Sequence, residues 1–215
     1  MAAAPNKWRT SKDMSDAPTA MIGPNAILQM VPVLDQLGGL KLRTEILARA
    51  GVFELPSGDE MIPEGPAARL HQEVRRSLPD MASALAWAAG RGTADYILAH
   101  RIPTKAQWVL RHLPAPIAAW FLARAIRDHA WTFAGSGQFN LISKYCFQIV
   151  DNPVVRDEQS DHPLCDWYAA VFARLFQVLV HPDFICEETE CTAQNGHACR
   201  FELRRVDGRL KQRRV

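Results

Sequence analysis

Residues 186 to 199 read Cys-Glu-Glu-Thr-Glu-Cys-Thr-Ala-Gln-Asn-Gly-His-Ala-Cys, so three of the chain's five cysteines and several carboxylates crowd around one Asn195-Gly196 turn. Thiolate, carboxylate and imidazole are the ligands of a borderline-soft ion such as zinc, which takes sulfur at about 2.3 Å in a tetrahedral, closed site. Cys191 and Cys199 flank the turn, where a hairpin brings them together. Glu188 swings a carboxylate oxygen to the same place if the strand bends there, and His197 and Glu187 compete with it. Cys165 follows Pro163 in the first turn of a helix, where free N–H groups and the helix dipole favour a thiolate. The competing reading makes Cys165 and Cys199 small buried hydrophobes and Cys191 a surface thiol. Cys146 and Cys186 lie inside strands and read as packing residues.

Elements must hold these side chains. Phe184 to Cys191 and Ala198 to Leu203 alternate as two strands around the turn. Thr132 to Phe139 and Lys144 to Val150 alternate likewise and predict an antiparallel pair, which Asn152-Pro153 ends. Pro163 opens a helix with Leu164, Tyr168, Val171, Leu175 and Leu179 along one stripe, widened by Trp167, Phe172 and Phe176. A helix apolar over so much of its circumference is a buried core helix.

Roughly the first 130 residues read as helical. Two helices over 25–50 join at Gly38-Gly39, and a loop over 51–65, pinned by Met61 and Ile62, could serve as a lid. Two more helices over 66–100 are split at Ser77-Leu78-Pro79-Asp80. A short one carries Trp108, Leu110 and His112 into Pro114. The next ends near His129, with Ile117, Trp120, Phe121, Ala125 and Ile126 on its apolar side and Arg124, Arg127 and Asp128 on the other. The fold class expected is α+β: an N-terminal helical part and a four-stranded antiparallel sheet packed on a central helix.

At 215 residues and 48% hydrophobic, the chain can bury one ordinary core. A formal net charge of +2 is too mild for a nucleic-acid binder, and no nucleic acid is expected. No uninterrupted apolar window reaches the length of about 18 residues that a spanning helix needs, and the N-terminus lacks the apolar core of a secretory signal. The expected location is the cytoplasm, where cysteines stay reduced. Residues 1–21 read as a flexible lead, 22–204 as the domain and 205–215 as a basic tail.

The segments Gly23-Pro24-Asn25-Ala26-Ile27, His129-Ala130-Trp131-Thr132-Phe133-Ala134-Gly135-Ser136-Gly137 and Cys165…Glu188-x2-Cys191-x7-Cys199 together resemble the 4-vinyl reductase domain family, over roughly residues 22 to 204. The resemblance implies a fold related to haem-based gas sensors, vesicle-tethering subunits and the phenol-sensing domains of bacterial activators. In those phenol sensors, three cysteines and a glutamate hold zinc in this order and spacing. Carried over, the metal ligands are Cys165, Glu188, Cys191 and Cys199, and the zinc is structural because four protein ligands leave no open position.

The family name implies reduction of a tetrapyrrole vinyl group, which needs a hydride or electron donor. The sequence shows no G-x-G-x-x-G after a strand and no phosphate-cradling G-x-x-x-x-G-K-[ST]; Gly90-Arg91-Gly92 and Gly135-Ser136-Gly137 are isolated turns. A carrier fits better. Six tryptophans and nine phenylalanines could line an apolar cavity for a flat macrocycle, and Trp108, His112, Trp120, Trp131 and Phe133 are the candidate lining, with His112 a candidate axial ligand.

The resemblance then points to a magnesium porphyrin carrier in bacteriochlorophyll synthesis. Magnesium protoporphyrin or its monomethyl ester would be the ligand, and magnesium chelatase or the following methyltransferase a partner. Alternatives are a vinyl reductase with an external electron donor and a ligand-sensing or scaffolding module. A homodimer is expected, as is a cytoplasmic protein with a peripheral photosynthetic-membrane association as the variant.

Overall fold

The computed structural model describes residues 20–206, so most of the lead and of the basic tail expected from sequence lie outside the described residues. Its elements alternate as the sequence suggests. Strand β1 (Met21–Ile22) is followed by α1 (Asn25–Leu28), α2 (Met30–Arg49), β2 (Ile62–Pro63), α3 (Glu64–Ser77), α4 (Ala82–His100), α5 (Thr104–His112) and α6 (Ala115–Asp128). Strands β3 (Gln138–Ser143) and β4 (Cys146–Val150), helix α7 (Asp166–Leu179), and strands β5 (Phe184–Glu190) and β6 (Cys199–Arg205) complete the order.

Helix α7 is the axis of the core. Proline at 163 keeps the preceding segment extended, and Asp166 places a carboxylate in the first helical turn, where the dipole favours it. One flank meets the antiparallel sheet, ordered β3-β4-β6-β5, whose Phe147, Ile149, Cys199, Phe201, Leu203, Phe184 and Cys186 alternate inward. Phe147, Phe172, Phe176 and Phe201 are fully buried, each worth about 1.5–3 kcal/mol in removed apolar surface. The other flank meets α4.

That approach is close enough to require glycine, because a Cβ on Gly90 would lie 2.3 Å from the Trp167 carbonyl oxygen. The Trp167 indole N–H donates to Thr93 Oγ1 on α4 at 3.2 Å, and the Tyr168 hydroxyl donates to the Phe133 carbonyl at 2.9 Å. The helix therefore fastens both halves of the chain.

The junction expected at Gly38-Gly39 is a sharp kink inside α2, where Gly39 adopts φ 66°, ψ −165°. The 51–65 loop is pinned by backbone pairing, Ile22 with Ile62 and Met21 with Pro63. No residue of 51–61 lines the cavity described below, so the loop does not act as its lid.

Two expectations are corrected. Residues 132–137 are not strand: a 3-10 turn at Ala130–Thr132 and a tight loop precede β3, because the Glu64 carboxylate accepts from the Ser136 N–H (2.6 Å) and hydroxyl (2.7 Å) and draws the loop onto α3. Helix α6 buries Ala118, Ala119, Leu122, Ala123 and Ile126, while Ile117, Trp120 and Phe121 face outward. Its small-residue face permits close packing and its bulky face is left out.

Candidate metal centre and exposed aromatic surface

Cys165 is the residue that caps the start of α7, Glu188 lies in β5, Cys191 follows that strand directly, and Cys199 opens β6. In a regular strand Glu188 and Cys191, three apart, would point to opposite faces. The pairing of β5 with β6 shifts register between Glu188 and Glu190, so the extra residue brings both side chains to one side. Asn195 takes the left-handed conformation at φ 63°, and the Gln194 and Gly196 N–H groups donate to the Cys191 carbonyl at 3.0 and 3.1 Å, closing the loop around the cysteine.

The four ligand atoms lie within 4.8 Å of one another. Cys165 and Cys199 sulfurs are 3.4 Å apart and those of Cys191 and Cys199 3.9 Å. A tetrahedral ion with sulfur at about 2.3 Å sets its ligands about 3.8 Å apart, so the spacing fits. Glu188 Oε2 accepts from the Cys165 N–H at 2.6 Å, while Oε1 is buried and accepts no hydrogen bond. An orphan carboxylate oxygen beside three buried sulfurs is a costly arrangement unless a cation completes it.

The electrostatics agree. Burial pushes the Glu188 carboxyl up to about 8, with Cys199 adding to the shift. Burial also raises the Cys165 thiol well above its ordinary range. Cys199, accepting from both neighbouring thiols, is held far below it. On its own the cluster localises charge on one sulfur, and ionising the rest needs a positive centre among them.

Asn152, which reads in the sequence only as a strand terminator, is buried against this site. Its amide donates to Cys165 Sγ at 3.3 Å and Cys199 Sγ at 3.5 Å, while its Oδ1 accepts from the Val154 N–H at 3.1 Å. The rival ligands are placed elsewhere. Glu187 pairs with Arg204 at 2.7 Å, and the exposed His197 donates its backbone N–H to Glu190 at 2.8 Å. Cys186 is buried in the sheet face as packing, and the half-buried Cys146 sits 3.6 Å from Arg200 Nη1.

The aromatic residues expected to line a cavity are not brought together in one. Trp108 (61% exposed), Trp120 (44%) and Trp131 (64%) stand on the outer surface, and only Phe133 packs inward, against Phe139, Tyr168 and Phe172. Trp108 and His112 stack at 4.2 Å on α5, beside an open depression of about 480 Å³ lined by Thr104, Lys105, Trp108 and Val109. A cavity of about 290 Å³ lies instead near the start of α7, with His71, Arg75, Ser83, His162 and Asp166 among its lining. Nothing in the spacing of these residues announces it, since they come from α3, α4 and the segment before α7.

An α+β domain with this C-terminal site is what the 4-vinyl reductase domain describes, and that family model matches residues 146–205. Over 184 residues the chain is 50% identical to the bacteriochlorophyll synthase 23 kDa chain of Cereibacter sphaeroides, covering 85% of this chain and 89% of that one. It is 44% identical to the protein of the same name from Rhodobacter capsulatus, covering 85% and 86%. The chain belongs to this family of bacteriochlorophyll synthase 23 kDa chains. Its fold is shared with an H-NOX protein of S. oneidensis in the Fe(II)NO ligation state (TM-score 0.56, 10% identity, 86% of this chain and 100% of that one). The Fe(II) unliganded H-NOX protein of K. algicida is also similar (TM-score 0.53, 9% identity, 87% and 98%).

Proposed function

We propose that the chain is an accessory protein of bacteriochlorophyll biosynthesis, stabilised by one zinc ion, that binds and presents a magnesium porphyrin. The names of its relatives supply the pathway. Zinc would be held by Cys165, Glu188, Cys191 and Cys199, and in a closed four-ligand site it locks the start of α7 to the β5–β6 hairpin without activating water.

The observation that carries the porphyrin reading is the exposed stack of Trp108 on His112. His112 Nδ1 lies 2.7 Å from the Trp108 carbonyl, so this nitrogen is the donor and Nε2 keeps the lone pair. Metal-binding histidines are held in this way, with the second nitrogen tied to a backbone oxygen. The indole offers a flat face for the macrocycle, and Lys105 at the rim of the depression offers a charge for a propionate. A surface site of this kind suits a protein that hands its ligand to magnesium chelatase's successor, the methyltransferase, rather than one that sequesters it. No helix among the described residues is long and apolar enough to cross a membrane, and a peripheral association with the photosynthetic membrane belongs to the same reading.

Titrating magnesium protoporphyrin and its monomethyl ester into wild type, Trp108→Ala and His112→Ala tests it. The expected result is a saturable Soret shift with wild type, weakened by Trp108→Ala and moved in wavelength by His112→Ala. The absence of a saturable shift overturns the carrier reading. Turnover of a vinyl porphyrin by the purified chain with NADPH or reduced ferredoxin replaces it with the reductase.

A further inference from the structure

On α6, Ile117, Trp120, Phe121 and Arg124 occupy positions i, i+3, i+4 and i+7, which share one helical face, and all four are exposed. Ile117 is 45% and Phe121 49% exposed, and Trp120 and Phe121 meet edge to face at 4.8 Å. The Arg124 guanidinium lies over the Trp120 ring at 4.4 Å. Helix α5 packs beside α6 and exposes Trp108 and Val109, and Trp131 stands just beyond the α6 end. Three of the chain's six tryptophans are therefore exposed on one stretch of 24 residues, from 108 to 131.

Charge on this surface has one sign. From Arg101 to Arg127 the chain carries Arg101, Lys105, Arg111, Arg124 and Arg127, all exposed, and no carboxylate; the first acid is Asp128, which pairs with Arg127 at 2.7 Å. We infer that the outer face of α6, flanked by these cations, docks the protein on an anionic lipid bilayer. Exposed tryptophan and phenylalanine on a basic helix face suit the headgroup boundary, where the rings sink partway and the guanidinium groups meet phosphates. A second copy of the chain is the weaker occupant. A two-fold interface sets the same patch against itself, so the arginines of one copy would face those of the other. The surface is a convex helix, not a groove, which disfavours an extended peptide.

The inference deepens the membrane-peripheral part of the reading above and rests on it; porphyrin is left out of the test so that the carrier reading is judged separately. Wild type is sedimented with vesicles of phosphatidylcholine alone and of phosphatidylcholine with phosphatidylglycerol, and indole emission is followed. Binding to the anionic vesicles only, with a blue shift, is expected. Trp120→Ser/Phe121→Ser abolishes it, and Arg124→Glu weakens partition by roughly fivefold or more. Retained zinc stoichiometry and far-ultraviolet dichroism show that the variants are folded.

Wild-type binding to neither vesicle sinks the peripheral reading as a whole. Variants that bind as wild type does sink the assignment to α6. A dimer that Trp120→Ser/Phe121→Ser splits makes the face an interface between copies, and equal binding to polyglutamate makes it a site for an acidic protein.

Discussion

The Asn152 amide nitrogen lies 3.3 Å from Cys165 Sγ and 3.5 Å from Cys199 Sγ, so a single donor bridges a sulfur at the start of α7 and one at the start of β6. Its carbonyl oxygen is fixed by the Val154 N–H, which orients the amide. Groups of this kind hold metal ligands in place, and their loss costs about 10- to 100-fold in metal affinity. Asn152→Ala is expected to release zinc to a chelator at about that much lower concentration, with stoichiometry unchanged when zinc is in excess. Unaltered chelator competition would show that the amide is only a turn cap.

Cys199→Ser removes the sulfur that both other thiols contact, so the variant should purify without zinc. Losing a buried four-ligand ion costs several kcal/mol, roughly 10 °C or more in melting temperature for a chain of this size. Cys146→Ser, outside the cluster, should keep one zinc per chain and melt as wild type does. Elemental analysis and calorimetry decide between these outcomes.

His71 on α3 is buried, with Nε2 3.1 Å from the Ala26 carbonyl, and its pKa is lowered to about 3 by burial first and Arg75 second. A base whose folded pKa is depressed contributes stability that is present above its unfolded value of about 6.5 and lost as pH falls toward the folded one. The proton it refuses makes the wild type lose about 1.4 kcal/mol per pH unit below that value. His71→Gln should lack this component. Acid also protonates the cysteine site in both proteins, so the measurement is the difference between their stability–pH slopes; equal slopes would mean that His71 is hydrated in the folded state.

Gly90→Ala places a methyl group 2.3 Å from the Trp167 carbonyl oxygen and 2.7 Å from Ala170 Cβ. Separating α4 from α7 to admit it should cost about 1–3 kcal/mol, read as a fall of several degrees in melting temperature. An unchanged melting temperature would show that the helix pair has slack.

Much of this is legible in the sequence because few residue types can do the work. Cysteine is rare enough that Cys165, Cys191 and Cys199 announce themselves, and Pro and Gly mark the ends of α3, α4 and α7. The bend that turns Glu188 inward is not legible, since a strand's register shift leaves no mark on its composition. Asn152 escapes a reading of the sequence because Asn-Pro is an ordinary turn signal, and its contacts reach 13 and 47 residues along the chain.

Helix α6 misleads for a different reason. Both of its faces are apolar, and periodicity favours the bulkier one, whereas close packing selects Ala118, Ala119 and Ala123. Trp108, Trp120 and Trp131 read as cavity lining because tryptophan is usually interior.

The contact between Gly90 and Trp167 also bears on where this protein can be cut. The stretch that the family model matches, 146–205, includes α7 but not α4, the helix whose backbone lies against it. An excised fragment would keep every zinc ligand yet bare an unbroken greasy flank to water, and should clump unless the upstream helices are supplied in trans. The smallest piece worth expressing begins well before the segment by which the family is recognised.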